Sequence, residues 1–239
     1  MLTNETIANR QFDFLSGEVI LIDKPFRWSS FKVVHEIRKA TGIRKVGHAG
    51  TLDPLATGLL ILCTGKKTKS VTSYQDLKKT YTGTFLLGQT SETMDLEAEL
   101  TERKPLDGIT REKILTARDK FIGVIKQLPP MYSAVKHKGK SLYHIARKGK
   151  TVERELRDVT IYKFEIIGIE LPEVHFEIEC SKGTYIRVIA QDLGDELSCG
   201  AVLGRLRRTA IGEFSVENAL GVDGFKALIK ENKIIETEA

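Results

Sequence analysis

The sequence has no apolar run longer than the five residues 59–63, far short of the roughly 20 that a membrane-spanning helix needs. Its N-terminus, MLTNETIANR, has neither a basic start nor a hydrophobic stretch. No spanning helix or signal peptide is expected, and the cytoplasm is the expected compartment. Cysteine is scarce. Cys63, Cys180 and Cys199 are odd in number, far apart and outside any CxxC arrangement, which argues against both a disulfide framework and a zinc site and leaves them as core or near-core thiols. There is no internal repeat, no low-complexity tract and no clear linker, so residues 1–239 are expected to form one domain. The Gly65-Lys66-Lys67-Thr68 stretch imitates a phosphate-binding P-loop, but the earlier glycine that motif requires would fall at Leu60 or Ile61.

What is present is ordinary in amount and uneven in placement. With 41% hydrophobic and 29% charged residues, the chain reads as globular rather than disordered. The formal net charge of +5 says little until it is divided. Residues 126–157 hold nine basic residues against Glu153 and Glu155, a local +7, so the remaining 28 basic and 30 acidic residues sum to −2. That basic segment is interleaved with Tyr132 and Tyr143 and flexed by Gly139 and Gly149. It suits a phosphate backbone as well as it suits a solvated surface.

The most unusual local chemistry lies in residues 47–65, GHAGTLDPLATGLLILCTG. Gly47, Gly50 and Gly58 permit backbone angles closed to other residues, and Pro54 pushes Asp53 away from the helical region. Asp53 is therefore expected on a rigid, non-helical loop, anchored by the buried strand 59–63. A carboxylate held on such a loop suits a reactive group. An Asp-Pro pair that merely opens a turn has the same local sequence.

The remaining pattern alternates strands and helices. A strand is expected at 18–22, then a helix capped by Ser29 or Ser30, with Phe31, Val34, Ile37 and Ala40 on one face and Gly42 ending it. Arg38, Lys39, Arg44 and Lys45 surround the helix end. A short helix from 68 to about 77, a strand at 80–87 and an acidic loop, TSETMDLEAEL, follow. Residues 110–121 read as an amphipathic helix capped by Thr110. Residues 159–169 and 174–180 read as a hairpin, 185–197 as a helix, 201–214 as strand and loop, and 224 to about 230 as a last helix before a polar tail. Residues 1–16 read as a polar lead-in. The simplest architecture is one mixed α/β domain of the α+β type.

GHAGTLDPLATGLL resembles the catalytic loop of the TruB family of pseudouridine synthases, enzymes of uridine 55 in the T loop of tRNA. Five further blocks resemble that family in its own order: GEVILIDKPFRWSS, KKTYTGTFLLGQTSETMD, LPPMYSAVKHKGKSLYHIARKG, CSKGTYIRVIAQDLG and LRRTAIGEF. The resemblance implies the pseudouridine synthase fold, a mixed and largely antiparallel sheet with flanking helices, and makes residues 126–157 an inserted thumb that closes on RNA. It implies isomerisation without metal or cofactor, on the T stem-loop of tRNA, with no membrane and no obligatory protein partner or guide RNA. About 25 residues follow Phe214, too few for the family's usual C-terminal PUA domain, which is expected to be absent. Arg27 and Trp28 stand in place of the family's usual glycine-containing turn.

The same resemblance assigns roles. Asp53 matches the catalytic aspartate, Arg187 the arginine that pairs it, and Tyr81 the tyrosine that stacks on the target base and is a candidate for the C5 proton step. Taken alone, Tyr81 reads as a half-buried strand tyrosine and Arg187 as a structural or phosphate-binding arginine. His48 matches the histidine that fills the gap left by the flipped uridine, and no cluster completes a metal site around it. Lys24 and Pro25 are expected to brace the loop beneath the site and Leu206 to wall the uracil pocket. Arg207 and Arg208 are left to the fold or the RNA. Lys136, Lys138 and Lys140 are expected on phosphates. The rival reading from another class is an RNA-binding or tRNA-folding module without catalysis; a second is a guide-RNA-dependent synthase.

Overall fold

The structure is a computed structural model and describes residues 1–3, 12–101 and 103–238, with the backbone alone for 232–238. Residues 4–11 of the lead-in lie outside the described residues. In chain order the elements are β1 (Val19–Lys24), α1 (Ser30–Thr41), β2 (Val46–His48), β3 (Thr57–Thr64), a 3-10 turn (Gly65–Ser70), α2 (Val71–Asp76) and β4 (Lys79–Leu87). Then come α3 (Arg111–Asp119), β5 (Gly123–Gln127), β6 (Lys136–His137), β7 (Lys140–Ser141), α4 (Leu142–Ala146), β8 (Arg157–Glu170), β9 (Glu173–Cys180) and α5 (Ile186–Glu196). The chain closes with β10 (Ala201–Ile211), β11 (Phe214–Ser215), a 3-10 turn (Val216–Asn218), β12 (Leu220–Gly221) and α6 (Val222–Glu238). Backbone contacts divide it into two compact units, residues 1–79 with 207–239, and residues 80–206.

In the first unit β1 runs antiparallel to β3, from Val19 opposite Cys63 to Lys24 opposite Gly58. β2 covers the far half of β3, β12 lies parallel to β1, and Arg207 and Arg208 of β10 pair in parallel with Thr57 and Gly58. The unbroken apolar run of β3 follows from burial on both faces. Leu60 and Leu62 point to the cluster under α1 and α6, while Leu59, Ile61 and Cys63 point to the opposite cluster with Leu21 and Ile211. The lead-in is less loose than its composition suggests: Leu2 is fully buried, its N–H donating to the Val19 carbonyl.

Helix α1 begins and ends where the capping residues predict. The Ser29 hydroxyl accepts from the Lys32 N–H, and Gly42, at φ +75°, donates back to the Arg38 carbonyl. Its buried stripe is Ser30, Val33, Val34 and Ile37, the i, i+3, i+4, i+7 set of one helical face. Phe31 was expected on that stripe; it lies off it and is 67% exposed. Helix α6 is longer than the predicted 224–230.

In the second unit β5, β8 and β9 form an antiparallel series, with β4 next to β9 and the first part of β10 next to β4. Phe85 stacks on Phe176 at 4.1 Å, and Phe164 meets both edge-on. The hairpin of β8 and β9, the Thr110 cap of α3 and the irregular 90–100 loop lie where the sequence predicts them. All three cysteines are buried and none forms a disulfide.

Candidate active site

The loop between β2 and β3 is tied down one backbone group at a time. The Ser30 hydroxyl accepts from the Leu52 N–H at 2.9 Å and donates to the Leu52 carbonyl at 3.1 Å. The Arg208 guanidinium donates to the Leu59 carbonyl at 2.8 Å and the Gly50 carbonyl at 3.1 Å. Lys24 Nζ donates to the carbonyls of Trp28 at 2.6 Å, Pro25 at 3.1 Å and Pro54 at 3.4 Å. The Ala56 N–H closes a turn onto the Asp53 carbonyl at 3.1 Å. Asp53 sits half-buried at the crest of this loop. A backbone gripped on both sides of one acidic residue removes most of the entropy that positioning its carboxylate would otherwise cost.

Two of the three loop glycines are there for their backbone angles. Gly50 has φ +89° and Gly58 φ +103°, and a Cβ on Gly58 would stand 2.3 Å from the Arg208 carbonyl oxygen. Gly47, expected to need the same freedom, lies in β2 with no positive φ. Lys24 and Arg208 are both fully buried. Burial pushes the Lys24 ammonium down to about 8, with the Asp53 carboxylate opposing that shift. Burial, aided by the Arg208 charge and against the pull of the Gly50 backbone, also pushes the His48 imidazole down. His48 is thus held towards its neutral form, and its buried Nδ1 has no hydrogen-bond partner among the described residues. Arg207 forks onto Asp23 with bonds of 3.0 and 2.7 Å.

The other predicted residues belong to the second unit. Tyr81 is buried in β4, and Leu206 is half-buried in β10. Arg187, in the first turn of α5 and 4% exposed, donates to the carbonyls of Thr93 at 2.9 Å and Tyr132 at 2.8 Å, with its Nε 3.7 Å from Asp95. Asp95 is itself buried and accepts from the Thr93 hydroxyl and the Glu97 N–H. Lys136, Lys138 and Lys140 are exposed on the hairpin of β6 and β7. Lys126 and Arg154, counted in the same basic segment, are otherwise engaged, with Asp158 and the Pro129 carbonyl respectively. Among the described residues no group of three or more His, Cys, Asp or Glu side chains could hold a metal ion.

A family model described as TruB family pseudouridylate synthase (N terminal domain) matches residues 38–186. The chain belongs to the TruB family. It is 46% identical over 221 residues to the tRNA pseudouridine synthase B of Flavobacterium johnsoniae, covering 90% of this chain and 96% of that protein. To the protein of the same name from Chloroherpeton thalassium it is 50% identical over 208 residues, covering 85% of this chain and 86% of that one. Among solved structures, a chain of a Cbf5-Nop10-Gar1 complex superposes with a TM-score of 0.69 at 29% identity, over 92% of this chain and 57% of that chain. A structure of an H/ACA RNP bound to a substrate RNA containing 2'-deoxyuridine matches with a TM-score of 0.67 at 26% identity, over 92% of this chain and 56% of that one. The pseudouridine synthase fold that the sequence blocks imply is therefore the fold observed.

Residues that support the predicted side chains of this TruB protein carry no clear signal in the sequence. Ser30 looked like one of two interchangeable caps; Ser29 caps α1, and Ser30 grips Leu52 instead. Thr93 and Asp95, which contact Arg187, fall in a family-like block and an acidic loop that assign them no role. The charge count also hid something, because the −2 outside residues 126–157 is not uniform. Residues 26–45 carry six basic residues against Glu36 alone.

Proposed function

We propose that the chain converts uridine 55 in the T loop of tRNA to pseudouridine, in the cytoplasm and on RNA alone, with Asp53 as the nucleophile. The observation that carries this reading is the Asp53 loop itself, pinned through Leu52, Pro54, Gly50 and Leu59 while the aspartate side chain stays half-exposed. Binding a polyanion gives no reason to fix a carboxylate so firmly in the site. Covalent catalysis does.

The reaction breaks the bond between uracil N1 and ribose C1', turns the base and forms a bond from C5 to C1'. The C5 proton leaves and N1 gains one, so no atom is lost beyond exchange with water. In this scheme the Asp53 carboxylate attacks the base or the sugar, Arg187 holds that carboxylate ionised and aimed, and Tyr81 stacks on the base and serves the C5 proton step. His48, held towards neutral by burial, offers a flat uncharged ring for the gap that the flipped nucleotide leaves. Leu206 walls the uracil pocket, and Lys136, Lys138 and Lys140 take phosphates. Lys24, with all three described ammonium bonds on carbonyls, serves the substrate by bracing the loop.

The test is Asp53→Asn, which keeps shape and hydrogen-bonding capacity but loses charge and nucleophilicity. The variant should fold and bind tRNA transcript at least as tightly as the parent, while single-turnover pseudouridine formation falls to the detection limit. Readily measured turnover by the folded variant would refute Asp53 as nucleophile.

A further inference from the structure

The turn that leads into α1 is built around an unusual residue. Arg27 adopts φ +62°, a left-handed conformation that few non-glycine residues take. The turn exposes Phe26 (53%), and one helical turn on α1 exposes Phe31 (67%). Each ring has a cation beside it: Arg27 lies 5.5 Å from the Phe26 centroid and Arg38 5.9 Å from that of Phe31. Lys32 sits 4.0 Å over Trp28, which packs against the core cluster beneath. The outer stripe of α1 continues with exposed Lys39. The one acid in residues 26–45, Glu36, pairs with Lys226 of α6. Residues 26–45 hold no other acid to offset their six basic residues.

The turn is also joined to the Asp53 loop. Lys24 bonds the Trp28 carbonyl and the Pro54 carbonyl with the same ammonium, and Ser30 holds Leu52. The turn is thus adjacent to the loop that receives the reacting nucleotide in the scheme above. Exposed rings flanked by cations suit such a strand, since bases stack on the rings and phosphates meet the charges. A protein partner is the poorer fit, because protein interfaces are depleted in lysine.

We propose that the 25–29 turn and the outer stripe of α1 form a second RNA-contacting surface. It takes the strand of the T arm adjoining the modified uridine, with Phe26 and Phe31 as stacking faces and Arg27, Lys32 and Lys39 as phosphate contacts; Arg38 braces Phe31 while it donates to the Val46 carbonyl at 3.0 Å. This rests on the tRNA reading above and deepens it.

Two exposed-surface variants test it. Phe26→Ala/Phe31→Ala should bind unmodified tRNA transcript at least about fivefold more weakly than the parent, the lower end for losing a single stacked base. Lys32→Gln/Lys39→Gln should lower the log-log salt slope of binding by about 1.5 units, at roughly 0.7 to 0.9 per lost phosphate contact. It also keeps the test open if the aromatic variant fails to fold. Affinity within twofold of the parent and an unchanged slope in folded variants would overturn the proposal. So would self-association of the parent that the phenylalanine variant abolishes while tRNA binding stays the same, which would make the face a protein interface. Pseudouridine formation by the parent is the control: its absence would defeat the tRNA reading itself, whereas an active parent with unaltered variants defeats only this surface.

Discussion

Lys24 is an ammonium with no exposed surface, satisfied by three carbonyls and drawn towards the Asp53 carboxylate. Its pKa falls from 10.5 to about 8 on folding, and the sign of the consequence follows directly. Between those values the unfolded chain holds a proton that the folded chain has released, so stability rises with pH through that window. Below pH 8 the fold carries the full burden, about 3 kcal/mol at 1.36 kcal/mol per pKa unit. Lys24→Met removes the charge at similar length. Between pH 7.5 and 10 the parent should gain about 2 kcal/mol of stability relative to this variant in urea unfolding. Parallel pH profiles for the two proteins would show that the buried ammonium is not responsible. Arg208, the other fully buried cation of the site, grips the Gly50 and Leu59 carbonyls.

Among the elements, the β6–β7 hairpin shows how a basic segment is turned into a display. Lys138 and Gly139 take φ +48° and +83°, the positive angles that a two-residue hairpin turn of type I′ requires at both positions. Register places Lys136 opposite Ser141 and Lys140 opposite His137, and all three lysines are exposed. Below the hairpin, Tyr132 and Tyr143 meet edge-on and bond Glu92 and Glu97 through their hydroxyls. Their rings thus serve the contact with the acidic loop. Phosphate contacts are therefore expected from the hairpin lysines. Replacing Lys136, Lys138 and Lys140 together with Ala should weaken tRNA binding and flatten its log-log salt dependence by up to about three units. Filter binding across a salt series measures both, and an unchanged slope would remove these lysines from the RNA interface.

For the molecule as a whole, the Asp53 loop and the α1 surface belong to one compact unit and the hairpin lysines to the other. If these surfaces read the T arm by themselves, an isolated T stem-loop should be modified with a kcat/KM within about tenfold of that for whole tRNA, so that less than about 1.4 kcal/mol comes from the rest of the substrate. Steady-state rates on both RNAs decide this. A loss of several orders of magnitude on the stem-loop would mean that the acceptor stem is gripped as well.

The sequence by itself determined the family, through six ordered blocks, and the local structure wherever one residue type dominates the backbone. Ser29 or Ser30 and Gly42 bounded α1, the apolar run of β3 marked a strand buried on both faces, and the glycines around Asp53 marked a loop that is not helical. These are short-range effects, legible from neighbours in the chain. Tertiary structure alone decided what holds that loop and which rings face water. Ser30 reaches Leu52 across 22 positions, Lys24 reaches Pro54 across 30, and Arg208 reaches Leu59 across 149. Sequence spacing is silent about hydrogen bonds made by chain folding. Phe31 missed its predicted face for a related reason. Apolarity fits a residue for burial, but the helical stripe that meets the sheet is set by Val33, Val34 and Ile37 against Ile20, Ile22 and Leu60, and those partners are chosen by the fold.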